Sequence, residues 1–263
     1  MKFSGQILKM NSVLAEPIQY YLNLGSDILN MNQLFGKTLK ITHTGFQCVN
    51  CQKKKPIYRM GFCKQCFFES PYASETIIRP ELSTAHLGIA ERDLEVEKEI
   101  QLQPHIVYLA YTGDVKVGVT RATQIPTRWI DQGATFALPI AKTENRYEAG
   151  VIEVALKEHL ADKTNYKKML QNEFESEVDL ADFRNKIKNY LPEEMSGFYL
   201  NEEELVRLDF PYQTPEKVNA FTLDKKPNFE GVLEGIKGQY LKFEGDNFIN
   251  IRSHEGYVID LEI

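Results

Sequence analysis

Apolar and polar positions change period several times along this chain, and each change marks an element. Residues 3–10 and 37–44 carry short alternating or β-branched runs, the second opened by Gly36 and closed by Gly45, and read as strands. Residues 106–111 are continuously apolar, Thr112-Gly113-Asp114 supplies a tight turn, and 115–120 returns as a second strand, so a β-hairpin is predicted. Pro126 suits the first turn of a helix that carries Arg128, Trp129 and Ile130 and stops at Gly133, where Trp129, Gln132 and Gly133 pack its end or, alternatively, line a base-stacking groove. A third strand is expected over 136–141. Residues 145–160 then switch to helical spacing, with Val151, Ile152, Ala155, Leu156 and Leu160 on one side. Another helix is predicted over 180–190, and 231–263 ends the chain in short strands broken at 245–247 and 255–256.

This order predicts an α+β protein. Three terminal strands close a core poorly, so the strands of 1–45 are expected to complete a small β-barrel-like module built from both chain ends. The expected organisation is an N-terminal β segment (1–45), a cysteine-bearing ribbon (46–70), a connector (71–104), an α/β core (105–200) and a C-terminal β module (201–263) packed with the first segment. The connector shows no periodicity beyond the polar run 91–99, a short helix or a linker, and the acidic stretch 193–204 reads as a solvated linker or helix face.

The chain's four cysteines bring in chemistry. Cys48 and Cys51 are followed, after eleven residues, by Cys63 and Cys66. Two Cys-x-x-Cys knuckles at this spacing close a tetrahedron around one structural zinc ion, with all four positions filled by protein. Gly45 and Gly61, ahead of the knuckles, supply permissive backbone. Disulfides or a redox dithiol are the alternative, disfavoured by the absence of a secretory leader in Met-Lys-Phe-Ser-Gly-Gln; that start and the lack of a long apolar stretch place the expected protein in the cytoplasm, with no membrane partner.

Net charge is −6, yet 31–70 carries Lys37, Lys40, Lys53, Lys54, Lys55, Arg59 and Lys64 against Glu69 alone, interleaved with Phe46, Tyr58, Phe62, Phe67 and Phe68. Lys53, Lys54, Lys55, Arg59 and Lys64 are therefore candidate contacts to DNA or RNA, since such cations neutralise phosphates and aromatics stack on bases. A solvated ribbon whose aromatics form its own small core is the equally weighted alternative.

From His105 to about Tyr166 the chain resembles a GIY-YIG nuclease core. Ile106-Val107-Tyr108 stands in the first triplet, Lys116-Val117-Gly118 in the second, and Lys-Val-Gly-Val-Thr followed by Arg128 resembles the phage-type branch. Glu148-Ala-Gly-Val-Ile-Glu153, with Asn165-Tyr166 beyond it, is similar to the glutamate helix of the UvrC excision-nuclease N-terminal domain. The resemblance implies metal-dependent phosphodiester hydrolysis: Glu153 holding Mg²⁺ or Mn²⁺, Tyr108 helping to deprotonate water, Lys116 favouring its phenolate, and Arg128, or Arg121 in its place, bridging phosphate.

Departures from the pattern are Lys116 where tyrosine is usual, a short gap between triplets and a long one to Arg128. Tyr108 and Lys116 read equally well as ordinary strand residues. By the helical wheel Glu148 lies within the apolar stripe and Glu153 on its flank, although Asn145-Arg-Tyr-Glu148 also has capping-box spacing. His43, His86 and His105 lack partners at diagnostic spacing and read as loop or surface residues. Over its length, the ribbon combined with Val-Tyr-Leu-Ala (107–110), Lys-Val-Gly-Val-Thr-Arg (116–121), Arg-Trp-Ile-Asp-Gln-Gly-Ala (128–134) and the terminal Gly-Ile-Lys-Gly-Gln-Tyr-Leu (235–241) resembles an uncharacterised prokaryotic family, the domain of unknown function numbered 2797. The expected function is nucleic-acid engagement, as a nuclease or as a non-catalytic binder or adaptor; a zinc-stabilised protein–protein scaffold is the third reading.

Overall fold

Strands from the two ends of the chain share one sheet. The structure, a computed structural model, describes residues 1–160, 165–172 and 180–263. It divides into two compact units, the first comprising 1–73, 130–133 and 209–263, the second 74–129 and 134–208. The first unit opens with β1 (Lys2–Gln6), β2 (Asn11–Val13), β3 (Gln19–Leu24), β4 (Asp27–Asn30) and β5 (Thr38–Phe46). A ribbon follows, with β6 (Ile57–Arg59), β7 (Phe62–Cys63) and helix α1 (Lys64–Glu69). The hairpins β2–β3–β4 form a separate sheet in which Tyr20, Leu22 and Leu24 alternate inward. The short polar runs around them hid these strands from the periodicity.

The second unit contains α2 (Leu94–Gln101), β8 (His105–Tyr111), β9 (Val115–Arg121), α3 (Thr127–Asp131, its last two residues lying in the first unit), β10 (Phe136–Thr143), α4 (Arg146–Lys157), α5 (Tyr166–Leu170), α6 (Leu180–Ile187) and β11 (Val206–Arg207). Its sheet runs β11-β10-β8-β9, antiparallel throughout. Val107, Leu109, Tyr111, Leu138 and Ile140 turn one face toward Ala149, Ile152 and Leu156 of α4 and Leu180 and Ile187 of α6. On β8 the intervening Tyr108 pairs in register with Gly118 and meets Trp129 edge-on, centroids 5.9 Å apart.

Residues 74–104, illegible in the sequence, are ordered. Three single 3₁₀ turns (Glu75–Ile77, Pro80–Leu82, Ala85–Leu87) lead into α2. The Asp93 side chain caps α2 by accepting from the Glu95 and Val96 amides. Buried Glu97 accepts from the amides of Glu91, Arg92 and Asp93 at 2.9, 2.6 and 3.0 Å. The turns lie against α4: Arg146 donates from Nε to the Thr76 carbonyl and from Nη2 to that of Ile77, both at 2.8 Å, and His86 stacks on Tyr147. Gly150 permits this approach, since a Cβ there would sit 2.2 Å from the Glu81 amide nitrogen.

The chain then returns to the first unit as β12 (Asn219–Ala220), β13 (Asn228–Lys237), β14 (Tyr240–Phe243), β15 (Asn247–Asn250) and β16 (Tyr257–Glu262). These join β1 and β5 in the order β1-β16-β5-β13-β14-β15-β12. Phe3, Leu261, Ile41 and Phe229 stand in one row across four strands. The expected barrel is not formed. The seven strands run from edge β1 to edge β12 with no closing pair among the described residues, so the β-rich ends make an open sheet. Residues 130–133 are held in this unit by buried Asp131, whose carboxylate accepts from Lys9 Nζ and Gln239 Nε2 at 2.8 Å each.

Replacing Gly150 by alanine sets two effects against each other. Alanine gains about 1 kcal/mol of helix propensity, but overpacking against backbone costs about 1–3 kcal/mol and here there is no flexible side chain to yield. The expected outcome for Gly150→Ala is net destabilisation, read as a lower urea midpoint.

Candidate metal centre and cationic cluster

The four cysteines converge. Cys48 follows β5 by two residues, its amide donating to the Lys53 carbonyl at 3.0 Å while the Gln52 amide donates to its own carbonyl. Cys51 completes the first turn. The second knuckle is the β7–α1 junction, where Cys63 ends the strand and Cys66 sits one turn into the helix. Gly61, at φ +78°, turns the β6–β7 hairpin in a conformation glycine adopts without strain, and its carbonyl accepts from the Val49 amide at 2.9 Å, binding knuckle to hairpin.

All four Sγ atoms lie within 4.8 Å of one another, and none forms a disulfide. A tetrahedron of sulfurs about 2.3 Å from a central ion has edges of about 3.8 Å, so this group could hold a metal ion. Protonation makes the same point. Burial raises the Cys48 thiol, but the amides of Cys51, Cys63 and Asn50 outweigh it and bring it down to about 6. Asn50 favours the Cys66 thiolate, yet burial and the three neighbouring sulfurs push that thiol up to about 12. Four thiolates this close require a cation between them.

On the ribbon, Lys53, Lys54, Arg59 and Lys64 are exposed, while half-buried Lys55 donates to Gln65 Oε1 at 3.4 Å. Its aromatics enter the small core that composition allowed only in part: buried Phe62 lies with the cysteines and half-buried Phe67 packs against them, but Tyr58 and Phe68 face solvent.

In the second unit, charged groups gather about β9, α3 and α4. Half-buried Lys116 is lowered to about 8, by burial first and then by the Arg128 charge, with Asp114 opposing. Buried Arg146 is lowered to about 10 by burial; Glu153 opposes the shift, and the Arg121 and Arg128 charges add to it. Each carboxylate within reach already has another cation: Asp114 has Lys168 at 3.1 Å, Glu153 has Lys157 at 3.3 Å and Glu81 has Arg79 at 3.1 Å. Among the described residues Lys116, Arg121 and Arg128 have no ion-pair partner.

The sequence-derived sites are placed unequally. Lys116 and Arg128 lie within range of each other's charge. Tyr108 is 1% exposed, its ring lying over Gly118 so closely that a Cβ there would stand 2.7 Å from the phenol oxygen. The wheel misjudged the glutamates. Glu153 is the buried one, its carboxyl raised above the usual range by burial against the pull of Lys157 and Arg146, whereas Glu148 turns back to accept from the Glu144 amide at 3.0 Å as Asn145 caps the Glu148 amide. Counting apolar residues alone rotated the expected face, because α4 also buries Arg146 and Gly150.

His105 is not a surface residue. It is fully buried on β8, donating from Nδ1 to the Gln103 carbonyl at 2.7 Å, and burial lowers it to about 4. His43 is half-buried between Phe46 and Tyr257, and His86 packs on Tyr147. Arg146 was missed, although its position two helical turns before Glu153 places both on one face. No helix among the described residues is long and apolar enough to cross a membrane.

Residues 36–259 match a family model described as "Protein of unknown function (DUF2797)". No curated protein and no solved structure matches the chain.

Elemental analysis of the full chain is expected to find about one metal ion per molecule held by the four thiols. Cys63→Ser is expected to abolish that stoichiometry and destabilise the ribbon, measured by metal content and protease sensitivity.

Proposed function

The chain belongs to this family of unknown function, and we propose that it is a cytoplasmic nucleic-acid-binding protein built from a zinc ribbon and a GIY-YIG-like core. The unbalanced cations of the core carry this reading. Arg128 repels both Lys116 and Arg146, and Arg121 repels Arg146, in a chain of net charge −6, while Asp114, Glu153 and Glu81, which offset part of this charge, each have another cation as ion-pair partner. Such crowding is relieved by an anion, and arginine's planar fork suits phosphate. Zinc is the ion that four thiolates of this spacing favour.

The GIY-YIG likeness is supported by element order: a hairpin with Tyr108 opposite Gly118, a helix bearing Arg128, a third strand, then a helix bearing Glu153. Hydrolysis is the weaker form of the reading. Tyr108 is sealed beneath Gly118 and Trp129, and Glu153, which would hold Mg²⁺ or Mn²⁺, is already offset by Lys157 and Arg146. Binding therefore takes precedence over cleavage. The ribbon's Lys53, Lys54, Lys55, Arg59 and Lys64 supply further phosphate contacts on this reading.

Fluorescence anisotropy with a labelled oligonucleotide tests it. Arg128→Ala is expected to weaken binding and flatten the logarithmic salt slope by about 0.7–0.9. Lys116 titrates near 8, so it loses its charge as pH rises through that value and affinity should fall between about pH 7 and 9. Lys116→Arg should remove this fall. Unchanged affinity and salt slope in Arg128→Ala would defeat the proposal, whereas Mg²⁺- or Mn²⁺-dependent nicking lost in Glu153→Gln would replace binding with hydrolysis. A protein–protein scaffold would respond to neither assay.

A further inference from the structure

Phosphate contacts alone leave the ribbon's aromatic side chains unexplained. Tyr58, Phe67 and Phe68 pack on one another with ring centroids 5.2, 5.7 and 5.3 Å apart. Yet Tyr58 is 44% and Phe68 57% exposed. Rings in water forgo the stabilisation that burial brings. The Arg59 guanidinium lies 5.5 Å over the Tyr58 ring. Beside this group, Lys55, Pro56, Lys64, Gln65, Phe68 and Glu69 line an open cleft of about 630 Å³. A second cleft of about 310 Å³ shares Lys55 and Pro56 and reaches Lys54 and Phe46.

We propose that this face of the ribbon binds single-stranded nucleic acid, its bases stacking on Phe68 and Tyr58 while its phosphates pass Lys55, Arg59 and Lys64. The inference rests on the nucleic-acid reading above and names the strandedness of its ligand. Charge selects the class of partner: five cations between 53 and 64 face one ribbon carboxylate, Glu69, which already accepts from Gln65 at 3.2 Å. Exposed ring faces narrow that class. A polymer alternating anions with flat π-surfaces engages both features at once, whereas a duplex keeps its base faces stacked inside and would leave the rings idle. An acidic peptide would satisfy the lysines but gives the clustered ring faces nothing to stack on.

The test uses the full chain with its metal bound, a fluorescein-labelled single strand of about 12 nucleotides, and the same sequence as a duplex. Single strand is expected to bind more tightly. Phe68→Ala and Tyr58→Ala should each weaken it about tenfold or more, with duplex affinity and the single-strand salt slope unchanged, because stacking releases no counterions. Phe68→Trp should restore binding, and the Lys53/Lys54/Lys55→Ala triple variant should reduce the slope. Wild-type affinity in both alanine variants would overturn the inference, as would displacement of the strand by polyglutamate with equal potency from wild type and Phe68→Ala. Weakening by Arg128→Ala but by neither aromatic variant would sink this inference and leave the core reading intact. The reverse pattern would sink the core reading alone, and absence of binding to either strand form would sink both.

Discussion

A guanidinium removed from water costs several kcal/mol unless its protons find acceptors, and the burial of Arg146 organises much of the second unit. Two of its donors reach the carbonyls of Thr76 and Ile77, so a stretch with no hydrophobic period of its own is fastened to α4. Gly150, one turn on, lets the Pro80–Glu81 backbone come within contact of the helix. Glu153, a further turn along, offsets part of the charge and is buried in consequence. The same guanidinium lies within range of Arg121 and Arg128, so the group that anchors the turns also helps to create the surplus of positive charge.

In the first unit the corresponding constraint is the cysteine cage. The ribbon's core cluster consists of Cys48, Cys63 and Cys66 with Phe62 and Ala73, too few apolar groups to fix a fold from hydrophobic burial alone. A bound ion would supply the missing stabilisation, since a preformed site is absent from the unfolded chain and metal affinity becomes folding free energy. Such an ion would let Tyr58 and Phe68 remain outside. A ribbon held by its metal does not need them as core.

The legible parts of the chain were those specified by local chemistry. Cysteine spacing implied the cage; Gly113, with a φ of +96°, turns the hairpin; Asn145 caps α4 as its spacing with Glu148 suggested. What failed was specified by tertiary contact. The turns of 74–90 take their order from Arg146 and Gly150, which no periodicity reveals. Closure of the β-rich ends depends on strand tilt and pairing, which alternation does not encode, and the chain makes an open sheet. His105 looked like a surface group because histidine usually is one, yet the strand that carries it is buried along its whole length.

The hairpin also separates pattern from activity. Gly118 is required by packing, because any side chain there would collide with the Tyr108 ring, and Tyr108 in turn fills the space beneath Trp129. A tyrosine facing a glycine across two strands can therefore be maintained by the core without any reaction. Packing gives no such account of Lys116, Arg121 and Arg128, since half-buried cations close to another positive charge and without an ion-pair partner among the described residues oppose folding. Tyr108 and Gly118 hold the hairpin together, whereas Lys116 and Arg128, equally part of its pattern, set positive charges against each other.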